Sequence, residues 1–416
     1  MKLGSAMCSD RNHKLAIAAI TLAVKCPRQI SRLMALFSTV SASLIFILLF
    51  VGLTSPVARG DESDWIRPSC PDQPLIWGRK DGIVFGLPSE NGLPGPRGLI
   101  RVGIILSTTG QPQLLNFIAI EPVVSGPGSR FSRMAFSELE LSTLDKGVRG
   151  KRLWVAPGTA DGQASSRGAL TKLEARPKPI ERLTVRVEVE KFTANGAHVY
   201  LVLSIDSDKP GELRLAVYQY EDSPPVEELT LTATMGNFER LRWLFLKDHV
   251  VDARSLFGIY TGDEFLEREN YPLADMLRIG DGDAIVLCAS DERSPSSVPT
   301  TASQFWYYPL PRLTQYWRVP AHDIEPDLRV RVNGRGTYYG SHAPLPNGVA
   351  FENFEVRQRY KPGQISIFGV TASEPWEFSP AIPRLQRPMS LTGSPWQELG
   401  SQKGTLRAAP TKEQNQ

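Results

Sequence analysis

Residues 183–205 constrain this chain more than any other stretch, because their apolar residues recur at every second position. Leu183, Val185, Val187 and Val189 alternate with Thr184, Arg186, Glu188 and Glu190. Successive side chains on a strand point to opposite faces, so this pattern makes a strand with one buried face. Val199, Leu201, Leu203 and Ile205 repeat it, interleaved with Tyr200 and Ser204. Asn195-Gly196 lies between the two runs, and both residue types tolerate the positive φ that a hairpin turn requires. An antiparallel hairpin over 183–206 is therefore expected.

Runs of the same kind recur at 98–106, 113–124, 134–141, 211–220, 226–234, 283–289, 303–309, 312–318, 326–332, 349–357 and 364–370. Turn residues separate many of them, at Lys209-Pro210-Gly211, Asp281-Gly282-Asp283, Asn333-Gly334 and Lys361-Pro362-Gly363. Short strands punctuated by Gly and Pro predict an all-β, mostly antiparallel β-sandwich. It should cover residues 61–376, either as one region or as two packed units with a break near 160–180. Residues 238–247 fit both periods and are read as a strand among strands. Residues 86–98, rich in Gly and Pro, read as loop. The tail 377–416 loses the alternation and reads as disordered.

The N-terminus carries a different signal. Residues 36–53 are dominated by apolar side chains and hold no charge, amide or proline; Arg28 and Arg32 precede them, and Ala58 and Gly60 follow at cleavage-site spacing. A basic flank, an apolar run and small residues make a secretory signal peptide, so residues 1–60 are read as leader and signal. A spanning helix needs about 20 apolar residues, so membrane attachment is expected only through an uncleaved signal segment. The rest is expected to be secreted, periplasmic or on the cell surface.

Removing that leader inverts the charge balance. The whole chain is +3, but residues 61–416 carry 40 basic and 43 acidic side chains, a net −3. No basic footprint for nucleic acid survives. Of four cysteines, only Cys70 and Cys288 remain. They could form one disulfide in an oxidising compartment, or Cys288, set in an apolar run, could be a small buried hydrophobe.

Familiar catalytic signatures are missing. The histidines at 198, 249, 322 and 342 have no metal-ligand spacing, and no metal site or cofactor is expected. Calcium is the one ion the residue types would allow, through Asp281, Asp283 and backbone carbonyls. There is no nucleophile elbow, phosphate loop or dinucleotide fingerprint.

Carboxylates and rings are the remaining candidates. Strand period puts Phe136, Glu138 and Glu140 on one face, with the acids roughly 6.5–7 Å apart along the backbone. Glu121 shares a face with Phe117 and Ala119, while Asn116 lies among Ile118 and Ile120. A buried polar residue needs a partner or a ligand. Trp306, Tyr307, Tyr316, Trp317 and Arg318 supply rings and a cation on two successive strands. Sugars stack on rings while Arg, Asn and Glu bond their hydroxyls, so an acidic and aromatic sandwich face points to a polysaccharide or other glycan. Packing within the core is the competing use of such rings.

Strings at 95–101, 116–122, 136–140, 234–237 and 313–318 resemble those of uncharacterised secreted bacterial proteins, a likeness that implies no activity. Residues 349–356 are similar to the late strand of concanavalin-like carbohydrate-active sandwiches, which implies that fold. The E-x-D-x-E motif of the laminarinase-like enzymes is absent; the chain has only Glu138-x-Glu140.

The expected function is glycan binding or processing by an exported sandwich; the alternative is a non-catalytic structural or interaction module of the envelope. The sequence leaves open whether the protein is an enzyme. If catalytic, a pair drawn from Glu121, Glu138 and Glu140 would supply acid and base, and a Tyr307 or Tyr316 lyase is the rival chemistry. In the glycan case these acids and the 306–317 rings should line one cleft.

Overall fold

The structure, a computed structural model, describes residues 64–69, 73–87, 98–105, 112–124, 151–155, 165–291, 313–338, 343–379 and 382, apart from 176, 235, 237, 267 and 268. The signal segment, Cys70, Glu138, Glu140, Trp306, Tyr307 and the tail beyond 382 lie outside the described residues. Among the described residues no helix is long and apolar enough to cross a membrane.

Among the described residues, twenty strands follow in chain order. The first seven are β1 (Trp65–Ile66), β2 (Ile76–Arg79), β3 (Ile83–Gly86), β4 (Ile100–Ile105), β5 (Pro112–Val124), β6 (Leu153–Val155) and β7 (Ala169–Leu173). Next come β8 (Ile180–Val189), β9 (Val199–Asp206), β10 (Glu212–Gln219), β11 (Val226–Thr234), β12 (Leu241–Phe245), β13 (Val250–Asp252) and β14 (Glu269–Pro272). The last are β15 (Leu277–Ile279), β16 (Asp283–Ser290), β17 (Thr314–Val319), β18 (Arg329–Arg335), β19 (Ala350–Arg359) and β20 (Ile365–Thr371). A five-residue helix, Ala253–Phe257, is capped by the Asp252 side chain.

These strands build two antiparallel sheets. A nine-stranded sheet runs β1-β2-β3-β4-β5-β11-β19-β18-β14. An eleven-stranded sheet runs β13-β12-β16-β17-β20-β10-β9-β8-β6, with β15 on β16 and β7 on β8. Asp64 onward forms one compact unit. Strands from before residues 160–180 join strands from after them in both sheets.

The sheets stack face to face because alternate residues of each are apolar. Ile118, Ile120, Leu231, Phe354 and Val356 of the first sheet share one core with Val185, Leu201, Leu213, Trp317 and Phe368 of the second. Burying one such Phe, Leu or Val contributes about 1.5–3 kcal/mol. The Trp317 indole N–H donates to the Phe354 carbonyl at 2.8 Å, bonding β17 to β19 across the core.

The hairpin expected at 183–206 is β8 and β9, with Glu188 opposite Tyr200. Gly196 has φ +74°, and the Asn195 side chain accepts from Ala197 N–H and donates to the Pro122 carbonyl. The loop is longer than a two-residue turn, closing through Phe192 and Ala197. Residues 238–247 contain β12, so the strand period prevails there.

Asn333-Gly334, expected as a turn, instead lies inside β18. A Cβ on Gly334 would come within 2.7 Å of the Phe257 ring, so glycine serves close packing rather than chain reversal. Asn333 Oδ1 accepts from Asn353 N–H at 3.0 Å, bridging β18 to β19. Beyond the expected end at 376, Phe378 and Ile382 pack with Tyr316 in a second apolar cluster.

Candidate functional site

The five described members of the expected site fall into three places. Asn116 and Trp317 point into the core between the sheets. Asn116 Nδ2 donates to Gln315 Oε1 at 2.7 Å, and its Oδ1 accepts from Phe117 N–H at 2.8 Å. The partner that a buried amide needs is thus a side chain of the other sheet.

Tyr316 and Arg318 take the opposite side of β17 from Trp317, on the face of the eleven-stranded sheet turned away from the core. Tyr316 donates to Glu212 at 3.1 Å, and Arg318 bonds both Glu212 and Asp283. Burial pushes the Tyr316 phenol well above its ordinary value, and the Glu212 carboxylate adds to the shift. That phenol is committed as a donor to Glu212 and is 2% exposed. Cys288, on neighbouring β16, is a free and buried thiol.

Glu121 occupies a third place, on the face of the nine-stranded sheet turned away from the core. The described residues therefore bring neither Glu121 together with Tyr316 and Arg318, nor Trp317 with either. The single cleft expected for them is not formed by these members, because successive residues of one strand cannot share a face.

Around Glu121 the sheet carries three cross-strand rows, polar except at Ala119 and Phe117 on β5. Register sets Glu121, Thr230, Arg357 and Arg329 side by side across β5, β11, β19 and β18. The next row is Ala119, Thr232, Glu355 and Arg331; the third is Phe117, Thr234, Asn353 and Asn333. Strands lie about 4.8 Å apart and rows about 7 Å apart. Thr230, Thr232 and Glu355 are all 0% exposed and Asn353 is 1% exposed.

A β-bulge aims two of these groups. Between Asn333 and Gly334 of β18, the partner on β19 moves from Asn353 to Phe351, leaving Glu352 as the extra residue. Phe351 and Phe354 both sit in the core, so the two residues between them, Glu352 and Asn353, both turn to the polar face. Burial pushes the Glu352 carboxyl up to about 7; the Arg335 charge pulls the other way and Asp263 adds to the rise.

The other charges nearby are engaged. Arg335 and the Thr337 hydroxyl both bond Asp263. Arg331 lies 3.7 Å from Glu355. Burial alone would raise the Glu228 carboxyl, but hydrogen bonds from Arg357 and Arg329 hold it below its ordinary range.

Four side chains on this face keep unused bonding capacity. The Thr230 and Thr232 hydroxyls, both Glu352 carboxyl oxygens, and the Asn353 amide nitrogen and oxygen are buried without a hydrogen-bond partner in the protein. An unsatisfied buried group costs about 1–3 kcal/mol, and native proteins keep few of them.

None of the four stands out as a candidate in the sequence, although two signals point there. Phe351-Glu352-Asn353-Phe354 spaces its rings by three where a strand demands two, the mark of a bulge. Thr230, Thr232 and Thr234 repeat a hydroxyl at three successive outward positions of one strand.

No metal-binding group of three or more His, Cys, Asp or Glu occurs among the described residues. Asp283 bonds Arg318 and the Ala321 N–H rather than standing open to an ion.

Comparison with known proteins adds no identity. No family model matches the chain, and no curated protein matches it. A solved structure titled "Crystal Structure Analysis of HI1317" aligns over 74% of this chain and 98% of its own, at 8% identity and TM-score 0.20. A likeness of that size bears on neither fold nor function.

Proposed function

We propose that the protein is an exported glycan-binding protein whose ligand sits on the polar face of the nine-stranded sheet. One observation carries this: Thr230, Thr232, Glu352 and Asn353 are buried there with no partner in the protein. Hydroxyls, a carboxamide and a carboxyl offer donors and acceptors in rows, the complement of a polyhydroxylated ring. Arg331 and Glu355 beside them add charged groups already held in place. Export rests on the basic, apolar and small-residue pattern of residues 28–60.

Among the described residues, the rings of Tyr200, Tyr218 and Tyr220 on the other sheet use their faces internally. Tyr200 and Tyr218 stack at 5.1 Å, and Arg186 covers Tyr200 at 3.8 Å.

A second reading, an interaction module of the envelope, is favoured by the segment before β14. Ile259 is fully exposed and Phe265 is 45% exposed, the kind of apolar tip that partners bury. A glycan array probed with the purified chain from residue 61 separates the two. Selective binding to particular oligosaccharides, weakened at least tenfold by Thr232→Val, is the expected result. Silence across the array would leave the interaction module.

A further inference from the structure

We infer that the Glu352–Asn353 bulge reads a vicinal diol, binding it through the ionised carboxylate so that ligand binding releases a proton. This rests on the glycan-binding proposal above and specifies its chemistry.

The bulge places a carboxyl and a carboxamide next to each other on one face, flanked by the core rings Phe351 and Phe354. Neither has a hydrogen-bond partner in the protein, and both are at most 1% exposed. Two adjacent hydroxyls of a pyranose would complement this pair in donors and acceptors. Each can donate to one Glu352 oxygen, while Asn353 Nδ2 donates to a hydroxyl oxygen. A bidentate acceptor beside an amide is satisfied by a diol more fully than by a lone hydroxyl or an apolar group, and a diol, unlike an amine, also accepts from the amide nitrogen.

Proton release follows from what faces Glu352. On β18 the facing charge is Arg335, whose guanidinium is held by Asp263. Asp263, from the segment before β14, is the second facing charge, and its side chain is 40% exposed. Across β11 the neighbour of Asn353 is the uncharged Thr234. Along β19 the next acid, Glu355, is paired with Arg331. No cation among these is bonded to Glu352, so without ligand its carboxyl stays protonated up to about pH 7. Two hydroxyl donors favour the charged form, so the ligand drives off the proton: the carboxylic O–H breaks and the proton goes to solvent. The cost of ionisation then falls on ligand affinity at low pH.

The test is an oligosaccharide array read at pH 5, 6, 7 and 8 with wild type, Glu352→Gln and Asn353→Ala. Diol-bearing glycans and their monodeoxy counterparts serve as probes. Wild-type affinity should rise about tenfold per pH unit below 7 and level off above it. Monodeoxy probes should bind at least tenfold more weakly. Glu352→Gln should bind weakly at every pH with no slope, and Asn353→Ala should bind weakly but keep the slope. Circular dichroism checks both variants, and the wild-type slope needs no variant at all. Wild-type binding that is flat in pH, or Glu352→Gln retaining the slope, overturns the inference while leaving glycan binding intact. No wild-type signal at any pH overturns the glycan proposal and this inference together.

Discussion

The two sheets turn contrasting faces away from their shared core. On the eleven-stranded sheet, buried charge is largely paired, with Arg318 Nε left over. Arg318 holds Glu212 and Asp283, Arg182 holds Asp206, and Glu188 accepts from both Arg186 and Tyr220. On the nine-stranded sheet, Glu228 and Asp263 have arginine partners, yet Thr230, Thr232, Glu352 and Asn353 keep side-chain atoms that do not bond within the protein. Burial is similar, so exposure does not explain the contrast. One face has most of its buried charges matched to each other; the other keeps hydroxyl, carboxyl and carboxamide groups with no partner in the protein. A buried polar group thus says little about function until its partners are counted.

The contrast can be broken most forcefully on the closed face. Arg318→Met leaves Glu212 as a buried charge without its main partner, and breaking such a pair costs about 3–5 kcal/mol. Urea denaturation should show that loss while glycan binding by the folded fraction is unchanged. A loss below about 1 kcal/mol would mean that this face is not a structural network.

The open face should reveal itself through pH. The folded-state carboxyl of Glu352 is raised from 4.5 to about 7, so the native state binds more protons than the unfolded state between those values. Stability from this group is complete below about pH 4.5 and falls as pH rises toward 7, by about 3 kcal/mol in all. Glu352→Gln should remove that fall, seen as a flatter dependence of the denaturation midpoint on pH. An unchanged pH dependence would show that Glu352 is ionised without cost.

Inside the core the expected effect is smaller. Asn116→Ala strands Gln315 and should cost about 1–3 kcal/mol, with glycan binding retained. The smallest change tests the open face most finely. Thr232→Val removes an unsatisfied hydroxyl at nearly constant volume and should leave stability within about 1 kcal/mol, or raise it. The same substitution should weaken glycan binding. A clear destabilisation would reveal a partner for Thr232 and close part of the contrast.

Much of the fold is legible in the chain, because alternation states which residues share a face. Parity of position alone separates Phe117, Ala119 and Glu121 from Asn116, Ile118 and Ile120, and the register of β5 agrees. The hairpin of β8 and β9 is equally plain. Short strands are not legible: β2, β3 and β14 have four residues each, too few for a period to emerge. Asn333-Gly334 misleads because the same dipeptide serves a turn or a tight packing contact, and only Phe257 decides between them.

The site is legible only in part. Glu121 lies on the polar face, but the aromatic half of the expected site separates, since Tyr316 and Trp317 are consecutive and must face opposite ways. The partners of Asn116 and Arg318 lie 199 and 106 residues away in sequence. Pattern within one strand cannot say whether a polar group is satisfied that far along the chain. The bulge at Glu352 is readable in principle, as a break of period between Phe351 and Phe354. Its meaning depends on the unmatched carboxyl, which only three dimensions show.

The central claim is that the polar face of the nine-stranded sheet, and not that of its partner, holds the ligand. Hydrogen–deuterium exchange of the wild-type chain, with and without a saturating oligosaccharide mixture, tests it directly. Slower exchange concentrated in residues 226–234 and 350–359, with 199–219 unaffected, is the predicted result. Protection confined to 199–219, or no protection anywhere, would contradict it.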